Sequence, residues 1–315
     1  DKIKVRILNT MVTGLQRVVE KSLKVKFNAW FRESVLYEKK LDVKALDALQ
    51  NHDLVYEKDG ATWFRTTAYG DDKDRVLIKA NGEKTYFLSD IALRWNRFAQ
   101  RGFEREILFL GADHHGYIKR LEAGMAALGF AKRLDVRIVQ LVRLMENGNE
   151  VKMSKRAGTY VALEDLVNDV GLDVARFFFL NSHMDFNLSL AKEQSEKNPV
   201  FYVQYAHARI SSILKKTARL KPRTGKTPIH PSETALVKAL LEFPLLIAEV
   251  GESHEVQKLP FYASTLATKF HDFYTNCRVI DEQQVWAHRL LLARATQTVI
   301  AKVLGVMGVS APEKM

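Results

Sequence analysis

The segment from Ile107 to Met145 constrains the fold more than any other part of the sequence. An apolar, strand-like run, ILFLG, leads into the polar loop ADHHGY, and the helix-like segment IKRLEAGMAALGF stops at Gly129. A second apolar run, VRIVQLVRLM, predicts one further strand over residues 136–145. Strands that alternate with helices in this order pair in parallel, because a helix carries the chain back across the sheet. We therefore predict a Rossmann-like parallel α/β sheet.

The rest of the first 190 residues fits the same class. Residues 1–55 predict mostly helix, and residues 59–92 predict short strands joined by turns at DG, YGDDKD and NGEK. After the second apolar run, NGNEV predicts the start of a loop, and LEDLVNDVG and LDVARFFFLNS predict two short helices. We assign residues 1–190 to one α/β domain.

From Asn198 onward the sequence pattern is helical. Four amphipathic stretches have the length of helices: NPVFYVQYAHARISSILKK, ETALVKALLEFPLLIAEV, LPFYASTLATKFHDFYTNC and AHRLLLARATQTVIAKVLGVMG. The segment LKPRTGKTPIHP predicts a loop after the first stretch, and Pro244 is expected to kink or divide the second helix. Residues 191–315 are therefore predicted to form an all-α helical bundle.

Charge and cysteine content limit the classes of function. The net charge is +11 at pH 7, which favours a polyanionic partner. Between Arg209 and Lys226 seven basic residues occur without an acid, so this basic run is either a solvated helix face or a phosphate-contacting surface. Cys277 is the single cysteine, which excludes an internal disulfide and a cysteine-based zinc site. No apolar run has the length of a membrane span, and we expect a cytoplasmic protein.

The polar loop VKMSKRAGTY, residues 151–160, holds Lys152 and Lys155 close enough for their charges to repel. It follows the second predicted strand, as GADHHGY follows the first, and ligands of open parallel sheets bind where strands end. If both strands are central in the sheet, the two loops would face one crevice. Two ammonium groups are favourable there if a triphosphate lies between them, because lysines stabilise the charge of a phosphoryl-type transition state. The alternative is an ordinary solvated loop.

KMSK after a strand resembles the second signature of class I aminoacyl-tRNA synthetases. Several ordered segments resemble bacterial arginyl-tRNA synthetases over nearly the whole chain: GADHHGYIKRLEAGMAALG, KMSKRAGTYV, DVARFFFL, QYAHAR and APEKM. The resemblance implies the C-terminal part of a class I catalytic domain followed by an α-helical anticodon-binding domain. It also implies a reaction, in which ATP activates L-arginine, pyrophosphate leaves, and the arginyl group passes to the 3′ end of tRNA-Arg.

The resemblance assigns the polar loop of residues 151–160, here called the lysine loop, to catalysis and ATP binding. Lys155 would contact the leaving phosphates with support from Lys152, and the backbone around Met153 and Ser154 would help to hold the nucleotide. ATP is a substrate that arrives with Mg²⁺, and no tightly bound protein metal is expected. Arg156 stands where the generic class I pattern has serine, as is usual among the bacterial arginine enzymes.

The resemblance also assigns an arginine pocket to Tyr86, Asp90 and His114, and contacts with the ATP ribose to Gly111 and Asp113. Such a pocket is chemically reasonable, because a carboxylate pairs with a planar guanidinium and a tyrosine can orient it. By residue type alone, Tyr86 and Asp90 also fit a core tyrosine and a surface aspartate.

GADHHGY places an aspartate beside two histidines, which leaves a metal-dependent hydrolase as an alternative. Adjacent side chains in an irregular loop seldom converge on one ion, and the sequence offers no further cluster of ligands. We therefore expect no metal site, with His115 in a structural role.

The resemblance places tRNA binding in the helical domain, at Tyr205, Arg209, Arg278, Trp286 and Met315. Aromatic and arginine side chains suit unstacked single-stranded bases, which stack on them and form hydrogen bonds with them. Core packing is the alternative for Tyr205 and Trp286.

One class I signature is missing from the sequence. His-x-Gly-His, which binds the ATP phosphates in this class, occurs nowhere in the 315 residues. The chain also begins with Asp and lacks a counterpart of the family's N-terminal domain, so we expect the C-terminal portion of a longer enzyme, inactive alone. The alternative is a synthetase-like paralogue that lost catalysis and kept RNA binding. We expect a monomer.

Overall fold

The computed structural model describes residues 2–151, 161–181, 185–223, 228–281 and 284–315. The α-helices of these residues are α1 (Lys2–Gln16), α2 (Ser34–Glu38), α3 (Leu41–Gln50), α4 (Tyr86–Trp95), α5 (Ile118–Ala127), α6 (Leu163–Val170), α7 (Leu172–Asn181), α8 (Leu188–Lys192), α9 (Pro199–Thr217), α10 (Pro231–Ser253), α11 (Lys258–Asn276) and α12 (Ala287–Val306). The strands are β1 (Val55–Lys58), β2 (Ala61–Phe64), β3 (Arg75–Ile78), β4 (Glu106–Gly111), β5 (Leu134–Val139), β6 (Arg143–Glu146), β7 (Asn149–Glu150), β8 (Asp185–Asn187), β9 (Lys221–Arg223), β10 (Ile280–Asp281) and β11 (Gln284–Trp286).

Tertiary contacts divide the chain into two compact units. The sheet unit comprises residues 27–141, and the helical unit comprises residues 1–26 and 142–315. The predicted domain boundary between residues 190 and 191 stays a prediction. The contacts group residues 142–190 with the later helices.

In the sheet unit, β1, β2 and β3 form an antiparallel sheet, and β4 pairs in parallel with β5. The parallel register runs from Glu106 opposite Leu134 to Gly111 opposite Val139. Helix α5 connects these two strands and packs against α4. The core of the unit includes the buried side chains of Phe64, Leu77, Leu88, Ile91, Leu121 and Met125. ILFLG is thus a strand and IKRLEAGMAA a crossover helix, as the sequence predicts.

The segment after β3 is a helix, although the sequence predicted strands and turns throughout residues 59–92. Helix α4 begins after Thr85, whose hydroxyl donates to two carbonyl oxygens of β3 at 2.9 and 3.1 Å. Four apolar residues of α4 are buried at helical spacing, namely Phe87, Leu88, Ile91 and Ala92. Their burial favours the helix over a strand, and it places Tyr86 and Asp90 one turn apart.

A small sheet in the helical unit corrects two predictions. Strand β6 is antiparallel to β7 and parallel to β8. Asn147 and Gly148, which both have positive φ, form the two-residue turn of the β6–β7 hairpin. The prediction of a loop from NGNEV is therefore wrong. So is the prediction of one strand over 136–145, because β5 ends at Val139 and β6 pairs with a different set of strands.

Helices α9 to α12 pack around a shared apolar core. Its fully buried side chains include Val203, Ile210, Leu236, Leu266, Phe270, Phe273, Ile300 and Leu304. Helix α10 runs continuously through Pro244, so this proline does not divide the helix, and the kink expected as the other outcome stays a prediction. Pro244 is exposed, where water can replace the backbone hydrogen bond that proline removes. The segment LKPRTGKTPIHP is not a loop throughout, since β9 pairs in parallel with β11.

The α/β elements followed by a helical bundle confirm the predicted fold class. Helices α6 and α7 confirm the two short helices expected after the lysine loop, with Gly171 between them. No helix among the described residues is long and apolar enough to cross a membrane.

Candidate functional site

The Asp90 carboxylate is the centre of a buried polar cluster in the sheet unit. Arg94, one turn later on α4, donates through Nη1 to Asp90 Oδ1 and to the Asp90 carbonyl oxygen, each at 2.9 Å. The Tyr117 hydroxyl donates to Asp90 Oδ2 at 2.7 Å. Asp90 is only 7% exposed, so these bonds compensate much of the cost of burying its charge. The alternative of a surface aspartate is therefore excluded for Asp90.

The cluster continues from Arg94 to strand β4. Arg94, which is 3% exposed, lies 3.9 Å from Glu106, measured from Nε to Oε1, and Arg97 bonds the same oxygen. Charges alternate along Asp90, Arg94, Glu106 and Arg97, so each buried charge has an opposite neighbour. Arg94 Nε and Glu106 Oε2 have no hydrogen-bond partner among the described residues.

Aromatic rings surround the hydroxyl side of Asp90. The Tyr117 ring centroid lies 6.2 Å from that of Tyr86 and 6.4 Å from that of His114, with the His114 ring edge-on. Burial, followed by the negative charge of Asp90, raises the pKa of Tyr117. The same two causes raise the pKa of Tyr86. Both phenols therefore stay protonated near neutral pH and can act as hydrogen-bond donors.

The GADHHGY segment positions Tyr117 and the two predicted ribose contacts. It leaves β4 at Gly111 and forms a 3₁₀ helix over Ala112–Tyr117. A Cβ at Gly111 would lie 2.7 Å from Asp113 Oδ1, so the Asp113 carboxylate approaches the backbone of Gly111 closely. His114 Nε2 lies 3.7 Å from Asp113 Oδ2, and both side chains are largely exposed.

The structure brings Tyr86, Asp90 and His114 around Tyr117, and it places Gly111 beside Asp113. Within the described ranges, no group of three or more His, Cys, Asp or Glu side chains could hold a metal ion. Lys152, Met153, Ser154 and Lys155 lie outside the described residues.

A second candidate site is a surface cavity of about 600 Å³ in the helical unit. Its lining residues are Tyr205, Ala208, Arg209, Ser212, Ile213, Lys216, Tyr274, Ile280, Lys314 and Met315. Arg209 Nη1 donates to the Tyr205 hydroxyl at 2.8 Å, and its guanidinium lies over the Tyr274 ring, 4.6 Å from the centroid. The cavity thus combines aromatic faces with three cationic side chains.

An aromatic stack supports Tyr205 from behind. Its ring is nearly parallel to that of Phe201 at 6.4 Å and stacks on His271 at 6.0 Å. Burial, and then the positive charge of Arg209, lowers the pKa of His271, which keeps this imidazole neutral near pH 7. Tyr205 is 38% exposed, so one part of the side chain packs while another part faces the cavity.

Polar contacts anchor the C-terminal tail that carries Met315. His207 Nδ1 lies 2.8 Å from the Pro312 carbonyl oxygen, and Lys215 forms an ion pair with Glu313 at 2.6 Å. These contacts hold the tail against α9, which places the last residue at the cavity.

Arg278 and Trp286 do not line this cavity. The Arg278 side chain is 85% exposed and lies 4.0 Å from Asp281. Trp286 ends β11, and the Arg223 guanidinium lies over its ring at 4.4 Å from the centroid. The structure therefore brings Tyr205, Arg209 and Met315 together, while Arg278 and Trp286 lie on neighbouring surface around the small β9–β11 sheet.

Sequence reasoning missed two partners in each candidate site. In the sheet unit these are Arg94 and Tyr117. The i, i+4 spacing of Asp90 and Arg94 would have indicated their contact if α4 had been predicted as a helix. In the helical unit Tyr274 and Lys314 were missed, and no local pattern links them to α9.

Two family models account for the whole chain. Residues 1–202 match the model described as tRNA synthetases class I (R), catalytic domain, and residues 203–315 match the DALR anticodon binding domain. Together, the observed fold and these two matches define a class I synthetase catalytic domain followed by a helical anticodon-binding domain. The chain belongs to the arginyl-tRNA synthetase family.

Curated relatives give the same result. The chain is 45% identical to the arginine–tRNA ligase of Symbiobacterium thermophilum over 316 residues, which is 96% of this chain and 56% of the relative. It is 42% identical to the arginine–tRNA ligase of Moorella thermoacetica over 321 residues, which is 98% of this chain and 57% of the relative. The chain thus spans little more than half the length of these relatives.

Solved structures show the same fold. A crystal structure from Campylobacter jejuni, assigned as an arginyl tRNA synthetase, has a TM-score of 0.84 and 29% identity and covers 98% of this chain and 68% of that one. The Thermus thermophilus arginyl-tRNA synthetase, at 21% identity, has a TM-score of 0.75 and covers 93% of this chain and 61% of that one.

Proposed function

We propose that this chain takes part in arginine–tRNA ligation, in which ATP activates L-arginine and the arginyl group passes to tRNA-Arg. The observation that carries the proposal is the Asp90 carboxylate, buried beside two tyrosines and bonded to Tyr117. A carboxylate in such surroundings favours a guanidinium over a neutral group, because a charge-assisted hydrogen bond in a buried site is stronger than a neutral one. Tyr86 and His114 border the same pocket and contact the substrate side chain.

ATP binding is proposed for both loops that follow the apolar strands. Gly111 and Asp113 contact the ribose, and the backbone around Met153 and Ser154 holds the nucleotide. Lys155, supported by Lys152, stabilises the negative charge that grows on pyrophosphate as it leaves. Mg²⁺ enters with ATP as part of the substrate.

Recognition of tRNA-Arg is proposed for the cavity of the helical unit and its surroundings. Tyr205 offers a face for base stacking, and Arg209 and the tail at Met315 border the same space. Arg278 and Trp286 extend this surface, and the basic run 209–226 supplies phosphate contacts. We propose a cytoplasmic monomer with the domain boundary at residues 190 and 191.

The 315 residues alone are not expected to activate arginine efficiently. They contain no His-x-Gly-His motif, so one half of the phosphate site of class I enzymes has no counterpart in them. A missing electrostatic contact to the transition state commonly costs about a hundred- to a thousandfold in rate. Arginine-dependent exchange of pyrophosphate into ATP measures this directly. Exchange at rates typical of the family would contradict the proposal that this chain is inactive by itself.

A second candidate function is RNA binding without catalysis, as in a paralogue that lost its ligase activity. It is favoured by one observation: the proposed RNA-binding groups all lie in the chain, while one catalytic signature does not. Arginine binding separates the two functions. A chain that binds tRNA-Arg but shows no preference for arginine over citrulline, its neutral isostere, fits the second function.

A further inference from the structure

We infer that Tyr117 and Arg94 are positioning residues that orient the Asp90 carboxylate for an incoming guanidinium. The inference rests on the proposed arginine pocket. It deepens that proposal by naming the two side chains that set the direction of the carboxylate.

The two contacts come from different elements and reach different oxygens. Arg94 belongs to α4, as Asp90 does, and it bonds Oδ1. Tyr117 ends the 3₁₀ helix after β4 and bonds Oδ2. Because the contacts approach from two elements, rotation of the carboxylate about its own axis would break one of them. Each oxygen can accept two hydrogen bonds, so one acceptor position per oxygen stays available for a ligand.

Arg94 is not a full substitute for the substrate guanidinium. Its charge is shared between Asp90 and Glu106, whose oxygen lies 3.9 Å from Nε. Glu106 is itself bonded by Arg97, so the four charges of the cluster alternate and balance. Arg94 reaches only Oδ1 of Asp90, and Oδ2 meets the neutral Tyr117 hydroxyl, so Oδ2 is the oxygen at which a second cation can pair.

Tyr117 is suited to the role because it acts only as a donor to Asp90. Burial and the adjacent carboxylate favour the protonated phenol. Its ring lies 6.2 Å from Tyr86 and is packed edge-on against Phe87 at 6.1 Å. These ring contacts do not depend on the hydroxyl, so a phenylalanine can keep the packing and lose only the hydrogen bond.

The test compares Tyr117→Phe with Tyr37→Phe in the 315-residue chain. Tyr37 is a matched control, because its hydroxyl bonds Ser89 Oγ, next to Asp90 on α4, at 2.6 Å. Calorimetric titration with L-arginine and with L-citrulline measures the preference for a charged side chain, and thermal unfolding measures stability. Tyr117→Phe is expected to weaken arginine binding about three- to tenfold with little change for citrulline. Tyr37→Phe is expected to leave both affinities unchanged.

Arg94→Lys is a second test of the positioning role, and it does not depend on the Tyr117 hydroxyl. It keeps a positive charge but loses the fixed geometry of the guanidinium, so arginine binding is again expected to weaken more than citrulline binding. An unchanged arginine-to-citrulline preference in both Tyr117→Phe and Arg94→Lys would overturn the positioning role and leave the pocket in place. If the unsubstituted chain does not prefer arginine to citrulline, the pocket itself fails and this inference fails with it.

Discussion

At the scale of single residues, Asp90 is held by side chains of its own protein and is also the residue proposed to recognise the substrate guanidinium. The carboxylate has partners on both oxygens, yet only Oδ1 meets a charged group, because the partner of Oδ2 is the neutral Tyr117 hydroxyl. The sequence motif pointed to Tyr86 and Asp90 as a pair. It gave no sign of Tyr117, since that contact joins segments 27 positions apart.

Asp90→Asn is expected to weaken arginine binding by about 2–4 kcal/mol, because the guanidinium loses its buried charged partner. Equilibrium titration of the chain with L-arginine measures the change. Asp59→Asn is the matched control, because Asp59 is exposed in an Asp-Gly turn where asparagine is equally suited. Equal arginine affinity in the two variants would remove Asp90 from the pocket.

His271 is expected to make the stability of the helical unit sensitive to mild acid. Burial lowers the pKa of this imidazole. The unfolded chain therefore binds a proton at a pH where the folded chain does not, and stability falls as the pH drops below about 6.5. Thermal unfolding between about pH 7.5 and about pH 5.5 should show a smaller loss for His271→Gln than for the unsubstituted chain. His52→Gln, at an exposed position, should behave like the unsubstituted chain; equal losses in all three proteins would contradict the role of His271.

At the scale of elements, the sequence predicted those whose side-chain pattern is set by local burial. ILFLG and the four long amphipathic helices fall in this group, because strand and helix periods are visible in their own residues. The two wrong predictions, for α4 and for residues 136–145, have different causes. α4 was not seen as a helix although its burial pattern is helical, because the turn signals around it favoured strands. The strand expected over 136–145 divides because β6 finds partners in β7 and β8.

The anchoring of the C-terminal tail gives a test at this scale. Gly308 has a φ of +67°, and a Cβ there would overlap the guanidinium of Arg176, whose Nη1 donates to the Gly308 carbonyl at 2.9 Å. Gly308→Ala is therefore expected to destabilise the helical unit by about 1–3 kcal/mol. Gly305→Ala is the control: no atom lies within 4 Å of its added Cβ. Its position inside α12 predicts a stabilisation of about 0.5–1 kcal/mol.

Urea unfolding measures both changes. A Gly308→Ala variant as stable as Gly305→Ala would show that the tail does not depend on the contact with Arg176. The glycine requirement was not visible in the sequence, because Arg176 lies on α7, 132 positions earlier.

At the scale of the whole molecule, charge and chemistry are distributed unequally. Residues 191–315 carry 17 basic and 11 acidic residues, and they contain the cavity lined by Tyr205, Arg209 and Met315. The sheet unit instead holds the buried cluster around Asp90. The proposed function would account for this division, since in it one part binds a small cationic substrate and the other a polyanion. Sequence motifs indicated both functions, but the grouping of Arg209 with Tyr274 and the tail depends on the packing of α9 against α11.

The central claim is that this chain recognises an arginine tRNA, and a titration with anticodon stem-loops tests it most directly. The chain is titrated with the stem-loop of an arginine tRNA and with a stem-loop of equal length from a different tRNA, each at two salt concentrations. We expect tighter binding of the arginine stem-loop at both salts, with both affinities falling as salt rises. Lys221→Ala, in the basic run, should weaken both RNAs alike and reduce the salt slope by about one. Arg278→Ala, at an exposed arginine outside this run, should instead mainly reduce the preference for the arginine stem-loop. Equal affinities for the two stem-loops at both salt concentrations would contradict the account.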